Sequence, residues 1–568
     1  MAKWQKGVDD EETPIWKMYS QGLEYQSRIG LSAGIPKNVD FYEGRQWPQP
    51  TESTKNLPRP VINIIKMICR SKRSAILSTP VKILYKSYSP RTDVDKLNDF
   101  LDNMLSEFNQ DGLDKTAIDD GIKKGSYFFH YYWDNEAIGH TGRADGGVRC
   151  EIIDPLSIFF ANPRETDEQK QDWILISSTV TKEKLLKICD PNLLAQLRTK
   201  LAEAEGQNNE NSDKITLLTR YFRVNGEVYC ERGTKYAYVS APFSLCPRID
   251  ENDLYKTNSK EDDKAETEKN SSTNSSLYNK SRAKATLYPI VCGCYERREG
   301  SIFGISEVEG IIPNQKAINF NIAMSLLNAQ QCAWGKYLAL PGALKGQKIT
   351  NTPGQVLIDH TGTGQGIQRM KEQELSSSPV ALAEQLTELT RTASGVTEIM
   401  SGEALRSNMS GVAIAQLQAQ AEVPIEELRS EFWEVKKKQG MVLAQFIRLY
   451  YYDKEFIRKT KDENGCECEV CDYFYSKDYE SSILEVVVEP TRGTRASIAS
   501  DINLLDNCLK NGKISLESYI RAYPDGAISN KTAILKQIEE EKTSEINALR
   551  KELEMYKNGK TVDPVSII

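Results

Sequence analysis

At 568 residues the chain exceeds what one hydrophobic core supports, so roughly two to four structural units are expected. With 39% hydrophobic and 27% charged residues it reads as globular, which excludes wholesale disorder. A formal charge of −7 argues against a protein whose task is to grip nucleic acid, because that affinity comes from Lys and Arg displacing counterions from phosphate.

The opening stretch MAKWQKGVDDEETPIWK has no apolar run of signal-peptide length, which predicts a protein that stays in a cytoplasm. Residues 1–40 are polar and mixed in charge, and read as an arm carrying one helix at most. From FYEGRQWP the chain becomes structured. PRPVINIIKMICRSKRSAIL has the apolar spacing of a helix beginning after Pro60, and a second helix covers roughly 93–109, continuing past Gly112. GSYFFHYYWD follows as a β-rich aromatic run.

Between 148 and 241 the pattern turns to strands: VRCEII, IFF after an Asp-Pro turn, DWILISSTV, ITLLTRYFRV and EVYCER. Asn225-Gly226 joins the last two as a type I′ hairpin, and one helix over 182–204 interrupts them, giving an α+β domain. Residues 250–284 hold almost nothing apolar, so they cannot bury enough surface to fold and read as a mobile insertion. ATLYPIVCGCYERRE then resumes the domain.

Ser306-x-x-Glu309 is a capping-box pattern, with Pro313 as first-turn proline of a helix running to about Gly335. The uncharged stretch 317–335 raises the membrane question, but Asn319, Asn321, Asn328, Gln330 and Gln331 would each need a partner in hydrocarbon. A helix packed on other protein, and no membrane, is expected. Some forty residues of Gly/Pro-punctuated short β runs follow, and Ser378-Pro379 restarts a helix. That helix spaces Leu382, Leu386, Leu389, Ala393, Val396 and Met400 as a stripe and ends at Gly402.

A loop at 401–410 leads into a helix over 411–452 that would span about 60 Å and kink at Pro424. Along it Leu428, Phe432, Val435, Gln439, Val442, Phe446 and Leu449 repeat the heptad spacing. Residues 453–490 return to strands, and the rest is helical. The last helix carries Ile546, Leu549, Leu553 and Tyr556 as a narrow seam of the kind oligomers use.

Candidate chemistry is thin. Gly30-Leu-Ser32-Ala-Gly34 matches a nucleophile elbow but lacks the buried strand before it. Gly342 to Ile349 resembles a phosphate loop only in outline, since Gln347 replaces the second glycine and Ile349 the magnesium-binding hydroxyl. Cys466, Cys468 and Cys471 could chelate zinc only with a fourth ligand from elsewhere, and they also fit a hairpin tip opened by Asn464-Gly465. Cys69 and Cys332 sit in apolar contexts, where reduced thiols fit better than disulfides. With three histidines in the chain and no carboxylate pair singled out, no enzyme activity and no cofactor are expected.

The order of parts resembles the portal proteins, or head-to-tail connectors, of tailed bacteriophages. FYEGRQW with RPVINIIKMICRSKRSAI is similar to the portal N-terminal region, and FGISEVEGIIPNQKAINFNIAMSLLN to the first stem helix. VTEIMSGEALRSNMSGVAIAQLQAQAE resembles the second stem helix, tunnel loop and start of the long helix, and ILEVVVEPTRGTRASIASDINLLDNCLKNGKIS the returning strand and crown entry. The resemblance implies a multi-domain α+β portal-like fold: arm 1–40, α+β wing 41–305 with the insertion 250–284, stem helix 306–335, small β-rich clip 336–375, second stem helix 376–400, tunnel loop 401–410, long helix 411–452, returning wing strands 453–494, and an α-helical crown 495–568 extended into a short coiled-coil barrel.

It further implies a homo-oligomeric ring, usually of twelve, at one capsid vertex of the virion, assembled in the host cytoplasm. Double-stranded DNA would pass through it without sequence readout. The large terminase subunit would dock first and tail or head-completion adaptor proteins later, with major capsid or scaffolding protein around the ring. Leu405, Arg406, Ser407, Asn408 and Met409 would face DNA; Lys345, Lys348, Asp359 and His360 would meet clip partners; Leu382, Leu386, Leu389, Ala413 and Leu417 would pack between subunits. The rival readings are another coiled-helix virion or scaffold protein without a DNA channel, and a magnesium nuclease, for which paired carboxylates are missing.

Overall fold

The computed structural model describes residues 12–55, 57–88, 93–139, 142, 146–207, 214–245, 284–333, 337–350, 355–362, 364–369, 378–396, 411–451, 454–461, 467–479, 482–490 and 495–523, with scattered positions from 534 to 553. Helices and strands follow in chain order as α1 (Pro14–Arg28), α2 (Leu31–Glu43), α3 (Ile64–Ile76), β1 (Val81–Ser87), α4 (Val94–Glu107), α5 (Gln110–Lys124), β2 (Ser126–Asp134), β3 (Gly147–Ile153), β4 (Ile158–Phe160), β5 (Trp173–Thr181), α6 (Lys182–Ile188), α7 (Leu194–Gln207), β6 (Lys214–Val224), β7 (Glu227–Gly233), β8 (Tyr238–Ser244) and β9 (Ile290–Cys294). Then come α8 (Glu307–Ala333), β10 (Tyr337–Ala339), β11 (Ile367–Arg369), α9 (Ser378–Ala393), α10 (Gly411–Tyr450), β12 (Lys454–Lys461), β13 (Glu467–Phe474), β14 (Leu484–Pro490), α11 (Arg495–Lys510) and α12 (Leu516–Ala522). The expected α+β class holds.

The aromatic run of β2 explains the layering. Successive strand residues face opposite sides, and here both sides are covered. Tyr127, Phe129 and Tyr131 enter the main core with α3, α4, α5 and α10, while Phe128 enters a second core against the sheet β4-β5-β6-β7-β8. β2 is also the centre of a three-stranded antiparallel sheet, flanked by β3 and β9. His130 bridges the two sheets, with Nδ1 2.8 Å from Glu151 and Nε2 2.8 Å from the Tyr221 hydroxyl.

The turn Asn225-Gly226 has positive φ at both residues, 51° and 79°, as a type I′ hairpin requires. β14 returns across the chain to pair antiparallel with β1, Val81 opposite Pro490 through Ser87 opposite Leu484. β12 and β13 form a ribbon laid on α4, where Phe100 stacks on Phe474 (centroids 4.0 Å apart, planes 8°) and meets Phe456 and Tyr451 edge-on.

Several expectations shift. Residues 14–43 form two helices packed on the body, where the sequence reads as an arm: Ile15 joins Phe159, Leu175 and Leu218 in a core cluster, and Leu31 and Ile35 join the second core. Residues 182–207 divide into α6 and α7 instead of one helix, since Pro191 disfavours helical geometry at Asp190. The chain turns between α4 and α5 at Asn109, which is left-handed at φ 53° and caps α5, whereas Gly112 lies inside the helix. The insertion 250–283 and residues 397–410 lie outside the described residues.

Candidate functional site

α8 is rooted in the body at both its backbone and its charges. Ser306 Oγ accepts the Val308 N–H at 3.1 Å and donates toward the Ile122 and Lys123 carbonyls, so one hydroxyl caps the start of α8 and the end of α5. The chain passes close enough there that a Cβ on Gly125 would lie 2.7 Å from the Gly304 carbonyl oxygen, which demands glycine. Glu307 at the first position pairs with buried Lys72 at 2.8 Å and accepts the Tyr295 hydroxyl at 2.9 Å. The capping box is therefore half made: Glu309 reaches out to Arg298, 3.6 Å away. Pro313 is the seventh residue of the helix, not its first turn, because Ser306 starts the helix earlier.

The amides of α8 divide by face. Gln315 and Asn319, one turn apart, are buried and work as a unit. Gln315 Oε1 accepts the Ile64 N–H at 3.0 Å, its Nε2 donates to the Ile62 carbonyl and to Asn319 Oδ1, and Asn319 Nδ2 donates to Gln46. The backbone at the start of α3, where the Ile64 N–H also donates to the Ile62 carbonyl at 3.0 Å, is thereby tied to α8. The role of Gln46 and Ile62 as partners had no signal in the sequence; the buried amides one turn apart did.

α9 returns beside α8, with Asn314 Nδ2 donating to Thr390 Oγ1 at 3.1 Å. It ends at Ala393 in a left-handed Gly395 (φ 70°), with Val396 N–H on the Arg391 carbonyl and Gly395 N–H on Thr392. The helix thus ends nine positions before Gly402, because this cap closes it, and Met400 lies outside the described residues. A Cβ on Gly395 would also lie 3.2 Å from Pro424 Cβ, so the end of α9 abuts the proline inside α10. The inward face is Ala383 and Thr390, both buried, with Leu386 partly buried. Leu382 and Leu389 point out, 46% and 58% exposed. On α8 Phe320 and Met324 do likewise, at 58% and 44%.

The heptad positions of α10 behave in the opposite way. Phe432, Val435, Val442 and Phe446 are buried in this chain's own main core, Gln439 and Leu449 are buried too, and Leu428 packs against the core, so this seam needs no neighbouring subunit. Lys436 lies in ion-pair contact with Asp114, both side chains nearly fully buried. Burial pushes the Asp114 carboxyl up despite that partner. Arg429 donates to the Ala75 carbonyl at 3.0 Å, tying α10 to the end of α3. Ala413 and Leu417 fall in the first turns of α10, where the side chains are outside the described residues.

Between α8 and α9 in the chain, β10 and β11 pair antiparallel, Tyr337 opposite Arg369. Lys345, Lys348 and His360 are exposed, with His360 Nε2 3.2 Å from Gln347 Nε2. Asp359 differs, since its carboxylate organises the loop: it accepts from Thr361 Oγ1 (2.6 Å), Thr361 N–H and Gly366 N–H (both 2.9 Å), and those bonds hold its pKa below the usual carboxylate value. Tyr337, Leu338, Leu340, Ile349, Val356 and Ile358 are all exposed around it.

Leu405, Arg406, Ser407, Asn408 and Met409 lie outside the described residues, as does Cys466. Cys471 is exposed on β13 opposite Ile457, and among the described residues no group of His, Cys, Asp and Glu is arranged to hold a metal. Burial raises the Cys69 thiol to about 12, in keeping with a packed, unreactive side chain. Gly30 and Ser32 stand at the junction of α1 and α2, with α1 and not a strand directly before them, and among the described residues no helix directly follows the Gly342 loop, so neither fits a catalytic or phosphate-binding turn. Among the described residues no helix is long and apolar enough to cross a membrane.

No curated protein matches the chain. The sequence model of the family described as Phage P22-like portal protein matches residues 33–470, which takes in most of α2, the helices α8, α9 and α10, and the ribbon to Val470. Covering well over half of the 568 residues, that match shows that the chain belongs to the P22-like phage portal protein family, and with it to the phage virion capsid.

Proposed function

We propose that the chain forms a closed ring, twelve copies being the expected number, at one vertex of the capsid, and that double-stranded DNA passes along its axis during packaging and ejection. In this reading 41–305 and 453–494 form the wing, α8 and α9 the stem, 336–375 the clip and 495–568 the crown. The observation that carries it is the stem pair. Two helices leave a well-packed body bearing Phe320, Met324, Leu382 and Leu389 in the open, on helices whose other faces are satisfied. Apolar side chains in such stripes ask for a neighbour.

The clip supports a docking role. A two-stranded sheet is marginal by itself, and this one carries exposed apolar side chains beside Lys345, Lys348 and His360. The large terminase subunit would dock there first and tail or adaptor proteins afterwards, with Asp359 shaping the loop. Leu405, Arg406, Ser407, Asn408 and Met409 would line the channel. At −7 per copy the ring as a whole repels DNA, so Arg406 would supply a local phosphate contact while the duplex slides. The crown helices expose Ile546, Leu549 and Leu553, a seam suited to a short barrel.

Electron micrographs of the purified protein test the ring: particles with an axial hole are expected, and their absence under every assembly condition refutes it. Replacing Ala413 and Leu417 by Asp should block assembly if the first turns of α10 pack between subunits. Heads that fill normally with 401–410 shortened would remove that loop from DNA translocation.

A further inference from the structure

α1 covers a buried ion pair whose hydrogen-bonding needs it does not meet. The helix lies on the face of the sheet β4-β5-β6-β7-β8 turned away from the second core. There Ile15 packs with Phe159, Leu175 and Leu218, and the Tyr19 ring meets Phe159 edge-on at 5.1 Å. In the same layer β6 and β7 set Arg220 opposite Glu231, with side chains 13% and 0% exposed. Arg220 Nε lies 3.1 Å from Glu231 Oε1, yet among the described residues neither that nitrogen nor either carboxylate oxygen makes a hydrogen bond. α1 meets the pair with the Met18 sulfur, 3.6 Å from Arg220 Nη1. A carboxylate held dry beside one guanidinium, with its lone pairs unfilled, costs more than the attraction returns. Burial accordingly pushes the Glu231 carboxyl above its ordinary 4.5, against the pull of Arg220.

The attachment of α1 suits it to lifting as a unit. Its hydrogen bonds to the sheet side of the body lie at its two ends. The Thr13 N–H and Oγ1 donate to the Lys235 and Thr234 carbonyls at 2.9 and 2.8 Å, and Gln26 Nε2 donates to the Pro155 and Ile158 carbonyls at 3.1 Å. Exposed Gly30, left-handed at φ 74°, separates α1 from α2, and α2 is anchored by Leu31 and Ile35 in the second core. The other titratable groups around the pair are few. Tyr238 on β8 and Tyr19 on α1 have hydroxyls that burial holds above the ordinary 10, and Glu12 meets Lys235 at the rim, 3.3 Å apart.

We infer that α1 is a pH-sensitive strap on the five-stranded sheet, lying down while Glu231 is protonated and lifting more readily once Glu231 is charged, because lifting returns the ion pair to water. A carboxyl raised on docking stabilises the docked state fully below its ordinary value and loses that contribution as the pH rises through the raised one. Lifting bares Phe159, Leu175 and Leu218 and leaves α1 joined to the body through Gly30.

Amide exchange of the full chain, corrected for its intrinsic pH dependence, tests the strap at about pH 5 and about pH 8. Protection of α1 is expected to fall by about threefold to tenfold between them, while α2 keeps its own. Glu231→Gln should abolish that fall. Arg220→Met/Glu231→Leu, which replaces the pair by apolar side chains, should abolish it too and hold α1 more tightly than the wild type at the higher pH. Lys235→Met, which removes the partner of Glu12, should leave the fall in place. Equal protection of α1 at both pH values, a fall shared by α2, or a fall that survives the loss of the Glu231 carboxylate in either variant overturns the strap, as does one that vanishes with Lys235→Met.

Discussion

α10 and the α8–α9 pair are both long amphipathic helical elements, and they resolve their apolar faces in opposite ways. From Ile425 to Tyr451 the long helix finds its partners within the chain: β1 and β14 on one side, β2 and α4 on others, with the Tyr85 hydroxyl on the Gly440 carbonyl at 2.8 Å. α8 and α9 satisfy one face each, through Gln315, Asn319 and Thr390, and leave Phe320, Met324, Leu382 and Leu389 in solvent. Heptad spacing is therefore not by itself a sign of subunit contact. What separates the two cases is whether another element of the same chain lies within reach, which depends on contacts between residues hundreds of positions apart.

That contrast can be broken at the body, at the start of α8 or at its margins. The largest effect is expected for Phe100→Ala, which empties the stack shared with Phe474, Phe456 and Tyr451; unfolding free energy in denaturant should fall by about 3–5 kcal/mol. Lys436→Met should cost about 3 kcal/mol by leaving the Asp114 carboxylate buried without its cation, and Asp114→Leu/Lys436→Met together should recover most of that loss. A double variant as weak as the single would show that the pair supplies more than mutual neutralisation.

At the start of α8, Gln315→Leu removes the side-chain bonds to the Ile62 carbonyl and the Ile64 N–H and leaves them only their bond to each other, so a loss of about 1–2 kcal/mol is expected, with faster amide exchange confined to the start of α3. Uniform exchange changes would argue that Gln315 does not anchor that segment. The smallest effect is at Glu151. Its hydrogen bond to His130 holds the carboxyl below its ordinary 4.5. A depressed carboxyl contributes stability above its ordinary value and loses it as the pH falls through the lowered one. Glu151→Gln should thus flatten the acid limb of the stability curve below about pH 4.5, and only slightly, since the side chain is half exposed.

Local chemistry made much of the fold legible from sequence. The Asn225-Gly226 hairpin, the strands from β2 to β7, the Ser378-Pro379 helix start and the span of α10 all follow from turn residues and periodicity. The pairing of β1 with β14 does not, because nothing in Val81–Ser87 names a partner four hundred residues away. The first two helices were hidden because their apolar positions are few, with Ile15, Leu31 and Ile35 supplying the burial. At the candidate site the leucine stripe was visible, but its split into an inward Ala383–Thr390 face and an outward Leu382–Leu389 face required the position of α8. Asp359 could be picked out as a charge in a Gly-rich loop; that its oxygens are taken up by Thr361 and Gly366 could not.

The central claim is that the stem's open faces are closed by neighbouring copies. The most direct measurement compares electron micrographs and melting curves of the wild-type chain and the variant Leu382→Asp/Leu389→Asp. Rings with an axial hole for the wild type, and an equally stable but ring-free variant, are the predicted result. Rings that persist undiminished with both leucines replaced by aspartate would contradict it.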